Sequence, residues 1–471
     1  MSRLLLRDVE VDGQRTDVAL VGDRIAAVGP RLEPGDGDAV LDGGGGALLP
    51  GLWDHHIHLM ALAAARRSVT VGPPEVTDRA GLTAALRRAA AARPEGWVRA
   101  VGYHESVAGD LDRDALDALL PGVPVRVQHR SGALWVLSSE ALRRLALDDE
   151  RAEGLERGSD GRLTGRAYGL DRWLGERLAA LAPEPPPDLG AVGAELARYG
   201  VVGVTDATPV ETRADLELLA EAARTGALPQ RVVTTGGPPL AAVDPPAPLG
   251  QGPVKLRLAD HALPALEDLA GWIADAHRGG RPVAVHCVTR EALVLTLVAL
   301  DEAGSAPGDR VEHGGVIPPE LHGGLRRHRL TVVTQPGFVA ERGDRYLVEV
   351  APDDRPHLYP CAGLLDAGIP VGGSTDAPFG HPDPWRAIRA AVARRTRAGE
   401  VLGAAERVDP TSALGLFLSP PAEPGGPPRR VEVGAPADLV LLDRPLSEAL
   451  ASPAADAVRA TLVAGQVVHG A

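Results

Sequence analysis

Apolar and polar positions along the chain follow two rhythms. Near both ends they alternate in steps of two. TDVALVGDRIAAVG (16–29) reads as strand, Gly-Asp turn, strand, and RATLVAGQVVHG (459–470) repeats the pattern about Ala464-Gly465. APADLVLLDRPL (435–446) adds another apolar strand. These segments predict a small β-sandwich built from residues 1–50 and 419–471, with everything between them inserted. SPPAEPGGPPRR (419–430), rich in Pro and Gly, is the returning linker.

In the interior, short β-rich apolar runs alternate with Ala/Leu/Arg-rich helical stretches, the pattern of βα units around a parallel sheet. The candidate strands are LLPGLWDHHIH, YGVVGVTDA, PQRVVTTG, GPVKLRLAD, RPVAVHC, GDRVEH, LTVVTQP and IPVGGSTDAP. They run to His58, Asp206, Thr235, the neighbourhood of Lys255, His286, His313, Gln335 and Asp376. LEDLAGWIADAHRGG and REALVLTLVALDEAG read as helices on either side of the fifth strand. Eight such units predict an α/β fold, a (β/α)8 TIM barrel over 51–418, with its chemistry at the C-terminal strand ends. The interval after the first strand is too long for one helix. Residues 65–195 therefore predict an inserted subdomain, with WVRAVGYHE and VPVRVQHRSGALWVLS supplying strands of its own.

Composition narrows the function classes. In 471 residues, 49 basic side chains face 63 acidic ones, for a net charge of −14, and no basic run offers a nucleic-acid surface. The two cysteines, Cys287 and Cys361, make neither a disulfide framework nor a Cys-rich zinc site. MSRLLLRDVEVDG is too short an apolar start for a signal peptide, and no run approaches the length of a membrane span. The expectation is a cytoplasmic protein acting on a small molecule, without nucleic-acid or membrane partners. All but one of the 49 basic residues are arginine; the exception is Lys255.

The strand ends collect His56, His58, Lys255, His286, His313 and Asp376. Residues i and i+2 of a strand share a face, so His56 and His58 project together and His55 points away. Each has an ordinary reading alone, as a satisfied core histidine or, for Asp376, a helix cap. Together their separations match one, one and two βα units. Imidazoles and a carboxylate converging from different strands make a zinc-type site of N and O ligands with room for water. Four histidines and an aspartate hold two divalent ions if a further anionic ligand bridges them. A neutral lysine amine can add CO2 to become such a bridging carbamate; arginine, always protonated, cannot. That would explain why one lysine persists.

PGLWDHHIHL resembles the strand-one signature of the amidohydrolase superfamily. PVKLRLAD, VAVHCVTREAL, RVEHGGVIPPE, VVTQPGF, GGSTDAPF and GAPADLVLLD resemble, in order, blocks of its family 3 branch, which contains N-substituted formamide deformylase. The resemblance runs over the whole chain. It implies His56, His58, Lys255, His286, His313 and Asp376 as ligands of one or two divalent ions, zinc foremost, leaves a carbamate on Lys255 open, and permits a homodimer. It is weaker in the insert: SGALWV has Ala133 where the family has His, and RAYG lacks an acidic residue. ADHALP also lacks the usual Asp-Gly, so the deformylase's own substrate is not carried over.

The expected reaction is hydrolysis of an amide-like C–N bond other than a peptide bond by metal-activated water. Asp376 would accept the proton of that water and deliver it to the leaving amine. Tyr103, His104, Trp135, Gln335 and Phe338 are candidates for the substrate pocket, the aromatics being equally at home in a core. Glu312 reads either as a carboxylate orienting a ligand or as a plain ion pair with Arg310. Two other classes stay open: a Schiff-base lyase or aldolase using Lys255, and a non-catalytic metal-binding relative.

Overall fold

Short runs of valine and its neighbours, buried on both faces, form parallel strands, as a sheet covered by helices requires. The computed structural model describes residues 3–92, 96–181, 187–209, 212–260 and 262–470, so His261 of ADHALP lies outside it. The chain forms two compact units, one of Met1–Leu59 with Leu189–Ala471, the other of Met60–Asp188.

In the first unit the central strands are β1 (Leu52–Ile57), β2 (Val201–Asp206), β3 (Arg231–Thr234), β4 (Gly250–Gln251, continuing as Val254–Leu256), β5 (Val283–Cys287), β6 (Arg310–His313), β7 (Thr331–Thr334) and β8 (Val371–Gly373). They pair in parallel and in chain order. Between its two pieces β4 keeps contact with the end of β3: Gly252 N donates to Thr234 O and Lys255 N to Gly236 O, both at 2.8 Å. Beyond β8 the chain returns to β1, with Asp376 N donating to His56 O and His58 N to Ala377 O, both at 2.9 Å. Helices lie between the strands. In α1 (Leu266–Arg278) the buried residues Leu269, Ala270, Ile273 and Ala276 form one stripe at helical spacing. Thr289 caps α2 (Arg290–Ala303) by accepting from Ala292 N.

The two chain ends supply two four-stranded sheets. One contains Arg3–Val11, Gln14–Val21, Arg24–Gly29 and Ala39–Asp42; the other contains Leu48–Pro50, Leu439–Leu442, Val458–Val463 and Gln466–Gly470. Alternate residues of both enter one apolar cluster, among them Leu6, Val18, Leu20 and Ile25 from one end and Leu439, Leu441, Ala460 and Leu462 from the other. Their hairpin turns touch. A side chain on Gly465 (φ +75°) would lie 2.1 Å from the Gly22 carbonyl oxygen.

The second unit has a six-stranded sheet, in spatial order Leu155–Arg157, Leu163–Tyr168, Leu134–Leu137, Val125–His129, Val98–Tyr103 and Val69–Thr70. Leu82, Leu86, Leu116 and Val127 belong to one apolar cluster there; Leu137, Leu142, Leu163 and Leu174 belong to another. No helix among the described residues is long and apolar enough to cross a membrane.

Candidate metal centre

Strand register decides which side chains meet. Lys255 pairs with Ala284, Ala284 with Arg310, and His286 with Glu312. Partners in register, and residues two apart, share a face of the sheet, so Lys255, His286, Arg310 and Glu312 stand together. The same rule pairs His313 with Cys287 on the opposite face, where Cys287 Sγ packs 3.3 Å from Thr296 Oγ1 of α2. His313 escapes that face because its φ is +70°. Its ring centroid comes to 4.4 Å from that of His286 and 4.7 Å from that of His56. Asp376, beyond β8, has φ +55°. Left-handed backbone at two non-glycine residues is costly, and it tends to collect where side chains must be aimed.

The carboxylate of Asp376 sits among the imidazoles. Its Oδ1 is 3.1 Å from Nε2 of His58 and 3.6 Å from Nε2 of His56; its Oδ2 is 3.7 Å from Nδ1 of His313. Ligand atoms of His56, His58 and Asp376 all lie within 4.8 Å of one another. Each of these rings is steadied from behind. Nδ1 of His56 donates to Oε2 of Glu312, Nδ1 of His313 lies 3.1 Å from Oε1 of Gln335, and Nδ1 of His58 lies 3.1 Å from Oγ1 of Thr208. Gln335 in turn donates to Ser374 Oγ at 2.9 Å. With a proton fixed on Nδ1 by a carboxylate or amide oxygen, Nε2 keeps its lone pair for a ligand. His55 faces the other way, 2.9 Å from Ser419 Oγ.

Burial sets the charge states. It lowers His56 to about 4 and His286 to about 3, with Lys255 adding to both shifts, and it carries His313 well below the usual imidazole range. It also lowers Lys255 to about 8 against the pull of Glu312 and Asp376. Burial resists ionisation of Asp376, but the His58 and His56 imidazoles and the Arg342 guanidinium around it outweigh that and bring the carboxyl below its usual value. His56 Nε2, Asp376 Oδ1 and Lys255 Nζ are buried without a hydrogen-bond partner. Neutral imidazoles, a carboxylate and an easily deprotonated amine, with buried lone pairs unspent, form a donor set that suits a divalent cation.

Glu312, which the sequence left between two roles, fills both: its other oxygen, Oε1, accepts from Arg310 Nε at 2.5 Å. Asp54 was not singled out by the sequence. It accepts from His56 N at 3.2 Å, Thr375 N at 3.1 Å and Thr375 Oγ1 at 2.5 Å, tying the end of β1 to the turn that presents Asp376. The Asp-x-His spacing at 54–56 was the available signal, but the far partner becomes visible only in the fold.

Of the pocket candidates, Gln335 joins this cluster through His313, and Phe338 lies on the helix that follows β7. Tyr103, His104 and Trp135 belong to the second unit. Tyr103 is buried in an apolar cluster and donates to Gly109 O at 2.5 Å. Trp135 is buried in the neighbouring cluster and donates to Asp171 Oδ1 at 2.6 Å. His104 and His129 flank Glu105, with Nε2 to Oε2 distances of 3.0 and 3.3 Å. Each ring accepts a main-chain N–H at Nδ1, from Ser106 and Ser131. That places the proton on Nε2 and makes the pair a clamp on the Glu105 carboxylate rather than a set of free ligand atoms.

A parallel α/β scaffold with imidazoles and an aspartate gathered at its strand ends defines a class, and comparison with known proteins gives the same one. Residues 39–469 match the amidohydrolase family, and the chain belongs to that family and is a hydrolase. It is 25% identical to N-substituted formamide deformylase of Arthrobacter pascens, an alignment covering 93% of this chain and 92% of the relative. Among solved structures it resembles an uncharacterized metal-dependent hydrolase from Pyrococcus furiosus, with a TM-score of 0.71, 20% identity, and coverage of 94% and 99% of the two chains. It also resembles N-isopropylammelide isopropylaminohydrolase from Burkholderia multivorans, with a TM-score of 0.55, 20% identity, and coverage of 99% and 98%. These likenesses give a TIM-barrel-type fold.

Proposed function

We propose that this protein is a metal-dependent hydrolase of amide-like C–N bonds in small molecules, working at the mouth of a closed (β/α)8 barrel whose chain ends form a β-sandwich. The observation that carries the reading is a trio of buried polar atoms that make no hydrogen bond among the described residues, His56 Nε2, Asp376 Oδ1 and Lys255 Nζ. His56, His58, His286, His313 and Asp376 would hold the ion or ions, zinc by the character of the donors, and Lys255 would complete the set. A cation held there supplies Lewis acidity, polarising a carbonyl and acidifying water.

The chain's own groups do the rest. The Lys255 amine would add to the carbon of CO2, an N–C bond forming as one C=O π bond opens and the displaced proton passing to solvent water, and the resulting carbamate would add an anionic oxygen donor to the set. Asp376 takes a proton from the attacking water and passes it to the nitrogen as the C–N bond breaks. Glu312, Gln335 and Thr208 hold the rings in orientation. A Schiff base at Lys255 would leave the unspent atoms of His56 and Asp376 without a purpose. The net charge of −14 supports a small-molecule substrate rather than a nucleic acid, and the two buried, unpaired cysteines accord with a cytoplasmic setting.

The test is metal content of the purified protein together with hydrolysis of a panel of amides before and after chelation. Roughly two bound ions and activity restored by added zinc would support the reading with the carbamate. Protein that stays metal-free after reconstitution and cleaves no amide would end it.

A further inference from the structure

The helix after β7, α3 (Gly337–Glu349), carries an arginine that the metal centre does not use. Arg342 is half-buried. Its guanidinium lies 3.9 Å from the ring centroid of Phe338, and one N–H donates to the carbonyl oxygen of Phe379. The Phe379 ring in turn packs edge-on against His58, with centroids 5.5 Å apart. Arg342 thus stands two contacts from a candidate ligand.

The surroundings are unusual for this chain, which has only three phenylalanines and five tyrosines. Two of each gather here. Phe338 packs edge-on against Tyr359 at 5.4 Å, and the hydroxyls of Tyr359 and Tyr346 meet at 3.3 Å. Burial opposes the charge on Arg342, while the Tyr346 and Tyr359 oxygens and the more distant carboxylates of Asp376 and Glu341 favour it, so the guanidinium stays ionised.

Other buried arginines show what a purely structural role looks like in this protein. Arg281 donates to carbonyls of Thr235, Leu240, Ala241, Gly252 and Pro253, and Arg394 to those of Leu358, Tyr359 and Leu402. Arg342 spends one N–H on one carbonyl, and among the described residues no carboxylate pairs with it. A guanidinium has five N–H donors in a planar fork matched to a carboxylate. A partly desolvated cation with donors to spare, set in an aromatic patch beside a hydrolytic centre, is built to receive an anion.

Resting on the amide-hydrolase reading above, we infer that Arg342 determines specificity by binding a carboxylate on the substrate, so that the preferred substrates are amides carrying a carboxylate close to the scissile bond, as acylated amino acids do. The ring of Phe338 supports the guanidinium, and the neighbouring aromatics take the apolar part of the molecule.

The probes are N-benzoylglycine and its uncharged isostere N-isobutylbenzamide, tested on the metal-loaded full chain as wild type, Arg342→Met and Arg342→Lys. Wild type should favour the carboxylate by about 30-fold or more in kcat/KM, the scale of a desolvated charge contact. Arg342→Met should erase that ratio, and Arg342→Lys should restore part of it. Wild-type cleavage of both amides at similar rates would overturn the inference while leaving the hydrolase reading intact, and needs no variant to fold. If neither amide is cleaved, binding of N-benzoylglycine decides. An affinity weakened by Arg342→Met would support the subsite, and absent or unchanged binding would overturn it.

Discussion

Glu312 and His56 are joined through Oε2 and Nδ1, while the other oxygen of the same carboxylate holds Arg310. All three side chains are nearly inaccessible. Burial works against the charge on Glu312, yet Arg310, Lys255 and His56 together hold its carboxyl well below the usual range. One anion therefore fixes the tautomer of a candidate ligand and neutralises a buried cation.

Glu312→Gln keeps the shape but removes the charge. Metal affinity should fall about 10- to 100-fold, as for other outer partners of a ligating histidine. The uncompensated Arg310 should lower stability by about 3–5 kcal/mol. Chelator competition and urea unfolding read the two effects separately; unchanged metal affinity would remove Glu312 from the site.

Lys255→Arg keeps a positive charge and cannot become a carbamate. The bound metal per chain, read by elemental analysis, should drop. Lys255→Ala should regain activity when a small carboxylate is added to occupy the emptied space. An arginine variant with full metal content and rate would show that no carbamate is needed.

Asp376→Asn should leave the histidines in place and reduce kcat by about 100- to 10,000-fold, the scale of losing a positioned proton carrier. Metal content measured on the same sample separates this from simple loss of the ion. Near-normal turnover would assign the proton to another group.

Burial pushes the Cys361 thiol up to about 12, whereas an unfolded thiol titrates near about 8.5. A folded pKa raised above the unfolded one stabilises fully below the unfolded value and loses its contribution as pH rises toward the folded value. Unfolding free energy should thus decline above about pH 8.5, by roughly 1.4 kcal/mol per pH unit for this thiol. Cys361→Ser should flatten the slope, and native Cys361 should resist alkylation at pH 9. Rapid labelling of the folded protein would contradict the burial.

Gly203 in β2 faces the Trp53 ring so closely that an added Cβ would come 2.1 Å from ring carbon Cζ3. Gly203→Ala should cost about 1–3 kcal/mol as an overpacked core, measured by urea unfolding. Wild-type stability in that variant would mean the ring is free to move aside.

The alternation of short apolar strands and helices, and the histidines closing them, could be read from the sequence because both are local. The aim of the ring at His313 could not. Simple alternation in RVEH sends it to the face shared with Cys287, and only its left-handed backbone turns it toward His56 and His286. The partners behind the ligands were equally hidden. Thr208 and Glu312 lie 150 and 256 residues from the histidines they touch, and Asp54 lies 321 from Thr375, distances no local pattern encodes. Phe338 stood out as an aromatic near a strand end, whereas Arg342 was one of many arginines until its few bonds set it apart.

The solitary lysine also gives the molecule a single address for proteases that cut only after lysine. The Lys255–Leu256 bond lies within β4, with both residues 2% exposed. Such a protease finds no foothold on the turns and surface loops, because their basic residues are arginines. It must wait for β4 to leave its sheet, so the rate of that one cut reports the opening of the innermost structure.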